Sequence, residues 1–464
     1  MTPSLRIVFT LLFGIAIDTT TCGASLESPE PPTEAIAGLL DEVSEENLHH
    51  IVSSLAAFGT RHTLSDTESD ERGIGAARRW IFAEFERYAA DSGRSDEGPE
   101  AIQVYFDSYD YGPDRRRVDR PIEVVNVVME VPGVMPEART RRYYIIGHYD
   151  SRASSAMDIE SHAPGANDDA SGVAATMELA RVMSRLQFDA TLVFMATAGE
   201  EQGLLGARLH ADRAAKEGLD IRAVLSNDII GDPTAPSGAR HDTRVRVFSE
   251  GVPRRADASE LARLRSLAGE HDSSSRQLAR YIAEIAEWHE LPVRPMLVFR
   301  PDRFLRGGDH SAFNDAGFAA VRFCEVEENY TRQHQDLRTE DGVEYGDTVD
   351  HVDMAYLANV TRLNGATLAS LANAPSEPGN ARIITAGLSN DTTLRWDAAP
   401  ELDVAGYEVV WRETTSPVWT HSDDVGDATE TTLPLSKDNY FFGVRSYDEA
   451  GFRSPVAWPI AAPR

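Results

Sequence analysis

The sequence predicts an α/β fold: a three-layer α/β/α sandwich around a mixed, mostly parallel sheet, followed by a small all-β sandwich domain. Three observations carry that prediction. Between Gln103 and Ala374, short apolar runs alternate with amphipathic helical segments, the pattern of strands covered by helices on both faces. After Pro375 the helical periodicity stops and only short alternating segments remain. The chain has 464 residues, 42% hydrophobic and 26% charged, enough for a large buried core and more than one domain.

Apolar residues at helical spacing appear from about Ile36 to Phe58 and from Gly73 to Tyr88. Strand-like runs follow at Val104–Phe106, Val124–Val131, Tyr143–Ile146, Thr191–Ala196, Ala223–Leu225, Val245–Phe248, Leu297–Phe299 and Ala319–Phe323. Helical segments fall between or after them, at Ser171–Leu186, Leu204–Glu217, Ser275–Glu290 and Met354–Ala374. Residues 374–380 contain Pro375, Pro378 and Gly379 and read as a linker, so the large domain spans 25–373 and a smaller one 381–464.

With 75 acidic against 45 basic residues, the formal net charge is −30, a field that repels nucleic-acid backbones and favours cations. Cys22 and Cys324 are too few for a disulfide framework. Residues 1–24 place Arg6 before the apolar stretch Ile7–Ile17 and small residues around Cys22, which reads as a signal peptide. The expectation is export, to a secreted or periplasmic location, with Cys22 also permitting a lipid anchor.

Candidate chemistry gathers at strand ends. One strand runs into His148-Tyr149-Asp150, a second into Glu200-Glu201 and a third into Asn227-Asp228. Ligands of open α/β sheets collect beyond the carboxyl ends of strands, so one rim receives all three. The turn-rich stretch Gly165-Ala166-Asn167-Asp168-Asp169 opens a helix; one acid suffices as a cap, and a second is available as a bridging carboxylate. Glu200 and Glu201 place like charges after a buried run, which is costly unless a cation neutralises them. His310, in Gly308-Asp309-His310, and His334, after Glu328-Asn329-Tyr330, stand in loops flanking the run Ala319–Phe323.

The ordered set of these motifs resembles the co-catalytic dizinc aminopeptidases of the bacterial leucyl aminopeptidase type, over roughly residues 48–374. The resemblance implies two Zn²⁺ ions, with His148 and Asp228 on one, Glu201 and His334 on the other, and Asp168 bridging. It implies Asp150 as the acceptor orienting His148, Glu200 as general base for a zinc-bound hydroxide, and His310 as a contact to the tetrahedral intermediate. Tyr330 and Arg306 are candidate substrate contacts. Beyond the linker, Leu394-Arg395-Trp396, Tyr407–Trp411 and Tyr440–Gly451 resemble strands of fibronectin type III domains, which implies an accessory module for cell-surface or polymer contact.

The leading expectation is an exported aminopeptidase acting on peptides. Arg300, Arg303 and Arg306 keep a carboxypeptidase open, because a guanidinium grips a carboxylate in two-pronged fashion. Glutaminyl cyclase chemistry and a non-enzymatic receptor are the remaining alternatives; the filled ligand positions and Glu200 weigh against both.

Overall fold

A computed structural model describes residues 29–114 and 116–462, so the predicted leader and Cys22 lie outside the described residues. Strands β1 (Gln103–Tyr111), β2 (Ile122–Val131), β3 (Arg141–His148), β4 (Thr191–Thr197), β5 (Asp220–Asn227), β6 (Arg244–Ser249), β7 (Arg294–Val298) and β8 (Ala320–Cys324) form one 8-stranded sheet. Their order is β1-β2-β4-β3-β5-β8-β6-β7. The centre β4-β3-β5-β8 is parallel, whereas β1, β2 and β4 are mutually antiparallel neighbours and β6 opposes β8. β4 and β8 are buried at every position, which is why their sequences are nearly continuous apolar runs; the edge strands β1 and β7 are partly exposed.

The helices are α1 (Thr33–Asp41), α2 (Glu45–Ala57), α3 (Gly73–Asp91), α4 (Ala170–Met183), α5 (Leu205–Glu217), α6 (Ala258–Leu267), α7 (Ser274–Trp288), α8 (Asp309–Ala316) and α9 (Met354–Asn373). The two-residue period of the strands sorts side chains between two helix layers. Tyr143, Ile145, Leu192 and Phe194 join the core under α2, α4, α7 and α9. Tyr144, Ile146, Val193 and Met195 meet Ala207, Ala211 and Phe313 of α5 and α8 on the other face. The helical stretch expected from Ile36 to Phe58 is two helices, because Ser44 takes extended backbone and its hydroxyl caps α2 by accepting from Asn47 N at 3.1 Å.

A hairpin of β9 (Arg338–Glu340) and β10 (Val343–Tyr345) follows His334. The C-terminal part contains β11 (Gly379–Ile384), β12 (Thr392–Asp397), β13 (Val404–Glu413), β14 (His421–Gly426), β15 (Glu430–Leu433), β16 (Tyr440–Asp448) and β17 (Ile460–Ala462). They form a 4-stranded sheet β15-β12-β11-β17 and a 3-stranded sheet β14-β13-β16 over a core of Leu394, Trp396, Tyr407, Val409 and Val444. β11 begins at Gly379, which pairs with Asp397, so the last two residues of the stretch 374–380 lie within a strand. These sheets sit against α7: Trp419 Nε1 donates to Gln277 Oε1 at 3.3 Å, and Arg280 Nε to the Pro417 carbonyl at 2.7 Å.

Candidate metal centre

The parallel strands β3, β4 and β5 end at one rim, and the loop before α4 is drawn up to them by two glycines. A Cβ on Gly147 would lie 2.4 Å from the Gly172 carbonyl carbon, so only glycine lets β3 approach the start of α4 this closely. That approach sets residues 167–169 beside His148. The two adjacent acids then divide the work. Asp169 caps α4 by accepting from Gly172 N at 2.9 Å and also accepts from His148 N at 3.0 Å. Asp168 is left facing the rim.

Asp168 stands between two histidines, with Oδ1 at 3.2 Å from His148 Nε2 and Oδ2 at 3.1 Å from His334 Nε2. On the first side Asp228 Oδ1 is 3.8 Å from His148 Nε2; on the second, Glu201 Oε1 is 3.1 Å from His334 Nε2. Donor atoms of His148, Asp168 and Asp228, and of Asp168, Glu201 and His334, each converge within 4.8 Å. The structure therefore brings together all five residues singled out as ligands. Asp168 Oδ2 and Glu201 Oε1 are buried without a hydrogen bond, 3.1 Å from His334 Nε2, an arrangement that a bound cation would complete.

His148 Nδ1 donates to the main-chain carbonyl of Asp150 at 3.1 Å, which turns Nε2 toward the carboxylates. The Asp150 carboxylate is farther, at 3.6 Å. It accepts instead from Glu200 N and Glu201 N, each at 3.2 Å, and from Thr63 Oγ1 at 2.9 Å. Asp150 thus ties the end of β3 to the turn after β4. Arg117 donates to the Glu201 carbonyl, and Arg152 Nη1 lies 3.7 Å from Glu201 Oε2. Glu200, half-buried, projects into the cavity. Burial, followed by the charges of Glu201, Asp228 and Asp309, holds its carboxyl well above the usual range. Burial disfavours charge on His148 too, but Asp150, Asp168 and Asp228 outweigh it and raise its proton affinity.

Asp228 is held from behind by Arg322, a fully buried arginine of β8, at 2.9 Å. Arg322 also meets Asp302 Oδ2 at 3.2 Å, and Asp302 pairs with Arg303 at 3.0 Å. Arg306 lines the cavity and reaches Glu328 Oε2 at 3.3 Å and Gln333 Oε1 at 3.4 Å. The expectation for His310 is corrected. Its ring is fully buried at the start of α8, Nε2 donates to the Pro301 carbonyl at 2.8 Å, and it does not line the cavity. Gly308-Asp309-His310 turns the ring inward because the helix begins there. Tyr330 is 62% exposed and lies outside the cavity lining.

Sequence reasoning missed Asp347, which is buried and accepts from Asn167 N at 2.8 Å and Asp168 N at 2.7 Å, fixing the loop that carries Asp168. Burial pushes its carboxyl up to about 7. Nothing around Gly346-Asp347 marks it locally. Arg322 had a signal: an arginine inside the apolar run Ala320–Cys324 needs a buried acid.

The cluster opens into a cavity of about 810 Å³. Two imidazoles with three carboxylates form the mixed nitrogen and oxygen set that suits zinc; Mg²⁺ and Ca²⁺ prefer oxygen throughout. With orphaned carboxylate oxygens aimed inward, the residues fit a metal pair.

Residues 126–367 match the model of peptidase family M28. A Leptosphaeria maculans protein named "Probable zinc metalloprotease" is 45% identical over 438 residues, covering 94% of this chain and 99% of its own. One of the same name from Pyrenophora teres f. teres is 42% identical over 438 residues, covering 94% and 88%. Among solved structures, the LapA aminopeptidase of Legionella pneumophila superposes with a TM-score of 0.52 at 20% identity, covering 75% of this chain and 77% of that one. Macrostomum lignano glutaminyl cyclase gives 0.51 at 15%, covering 74% and 94%. Both likenesses are of fold.

Proposed function

The chain belongs to peptidase family M28, and on that premise we propose that this metallopeptidase is a zinc-dependent aminopeptidase that removes N-terminal residues from peptides. The observation that carries the reading is Asp168 lying 3.2 and 3.1 Å from the two histidines, with Glu200 left outside both ligand groups. His148 and Asp228 would hold one zinc, Glu201 and His334 the other, with Asp168 shared. Zinc bound there supplies Lewis acidity, polarising the scissile carbonyl and lowering the pKa of coordinated water to about 7. Glu200 takes a proton from the attacking water at its carboxylate and delivers it to the departing amine nitrogen. Asp150 positions that carboxylate through the Glu200 amide, and Asp347 fixes Asp168.

Glu200→Gln is the deciding variant. It is expected to keep metal content and melting temperature while lowering kcat by about 10²–10⁴-fold, the usual worth of a general base. Unchanged kcat would remove Glu200 from the chemistry. A metal-to-protein ratio of one, with pyroglutamate formed from N-terminal glutamine, would favour the cyclase alternative. A carboxypeptidase is the second reading, favoured by Arg306 in the cavity wall. Turnover confined to N-blocked dipeptides with a free carboxylate would establish it in place of the aminopeptidase.

Export is part of the proposal, supported by the composition of residues 1–24; the intact mass of the mature protein, with or without a lipid on Cys22, tests it. The fibronectin type III-like reading of residues 381–464, with a binding role for them, rests on the two packed sheets and the strand motifs quoted above.

A further inference from the structure

The cavity beside the metal cluster is lined by charges of both signs. Its acids are Asp114, Asp168, Glu200, Glu201 and Asp228, and its arginines are Arg116, Arg117, Arg152, Arg208, Arg303 and Arg306. In a chain of net charge −30, arginines readily find acids, and the inner members of this set do. Arg152 faces Glu201, and Arg303 pairs with Asp302 and Glu328. The outer members are different. Arg208, exposed on the first turns of α5, and Arg116, exposed in the β1–β2 loop, make no side-chain hydrogen bond or ion pair among the described residues. Asp114, two residues before Arg116, accepts from the amides of Arg116, Arg117 and Val118, and its side chain makes no ion pair with the Arg116 guanidinium. A single carboxylate, Glu328, serves Arg246, Arg303 and Arg306 together, leaving Arg306 with under-compensated charge and 30% of its side chain open.

We propose that the cavity selects anionic substrates, holding a peptide carboxylate against the lining arginines Arg116, Arg208 and Arg306. This rests on the metallopeptidase reading and names its substrate class. The physical reason is which charges already have a role: Asp168, Glu201 and Asp228 fall in the metal-binding groups and Glu200 is the proposed base, so the lining charge left for a substrate is guanidinium. Guanidinium is weakly hydrated, always charged and shaped for carboxylate oxygens. The carboxylate has two sources, an Asp or Glu side chain beside the scissile bond or the free C-terminus of a short peptide. Both present the same chemistry to these arginines.

The test uses the zinc-loaded full chain and steady-state kinetics in two arms. One compares glutamyl with glutaminyl, leucyl and lysyl p-nitroanilides; the other compares an Ala-Leu dipeptide with its C-terminal amide. In at least one arm the carboxylate-bearing substrate is expected to exceed its neutral isostere in kcat/KM by about tenfold, the worth of one charge-assisted contact. The margin should shrink as salt rises toward about 1 M and the Debye length falls to about 3 Å. The double charge reversal R116E/R208E, at exposed positions, is expected to invert the ratio toward the lysyl substrate while the melting temperature holds. Equal kcat/KM for charged and neutral partners in both arms overturns the proposal and leaves the peptidase reading standing. No turnover of any substrate overturns both.

Discussion

Two regions of this molecule bury charge on a large scale, and they solve the problem in opposite ways. Where the C-terminal sheets meet α7, buried acids face arginines: Asp272 Oδ1 receives Arg412 at 2.8 Å and Arg280 at 3.3 Å, while Arg445 lies between Glu284 at 3.2 Å and Glu408 at 2.7 Å. At the rim beyond β3, β4 and β5, Asp168 and Glu201 both face the imidazole of His334, each at 3.1 Å, and Asp168 also faces His148 at 3.2 Å. The difference teaches that buried charge by itself does not mark a functional site. Acids that converge with imidazoles within 4.8 Å, more of them than the nearby arginines balance, do, because a bound cation completes such a set.

Breaking each region tests that distinction. Asp272→Asn leaves Arg280 and Arg412 buried without an anion, and removing one partner of such a pair costs about 3–5 kcal/mol. Urea denaturation should show the loss, with kcat of the folded fraction unchanged. Chelation should act on the other region. Removing a metal present at a hundredfold its Kd subtracts about 2.7 kcal/mol, so a chelator should lower the melting temperature and re-added zinc should restore it together with activity. The Asp272→Asn variant should show the same chelator-induced shift, since the regions share no partners. A chelator that leaves both melting and turnover untouched would sink the metal reading.

The sandwich was legible because its buried strands are apolar runs and its ligands sit at their ends. β4 matches its run to within a residue; His148 closes β3, Asp228 follows β5 directly and Glu201 stands just beyond β4. The C-terminal sheets were half legible: β12, β13 and β16 carry aromatic and β-branched runs, whereas β11, β14 and β17 contain too many polar or small residues to show a period. What the sequence hid is what tertiary structure alone creates. Asp347 supports Asp168 across 179 residues of chain, and its two neighbours in sequence give no hint of burial. His310 looked catalytic because its motif fits, yet only the direction of α8 decides whether the ring faces the cavity or Pro301. Asp150 was expected to orient the His148 imidazole; the distances give the imidazole to its carbonyl and the carboxylate to the turn of Glu200.

An acid lacking a strong partner outside both regions shows what happens when neither solution applies. Glu250, after β6, is partly buried near Asp315, and burial, then that like charge, pushes its carboxyl up to about 7, against the opposing pull of Arg254. It belongs to neither metal-binding group among the described residues, and burial favours its protonated form. The sign follows from linkage: with the folded value raised above the unfolded value of about 4.3, the native state binds more protons between them, and stability falls as pH rises through that window. Glu250→Gln should remove this slope, worth about 1 kcal/mol for a half-buried group after solvent screening. Urea unfolding of both proteins at pH values between about 4.5 and 8 should show the variant gaining on the parent toward the upper end. Curves that stay parallel would mean that Glu250 ionises freely, and that burial without a counter-charge is cheaper here than the contrast between the two large clusters implies.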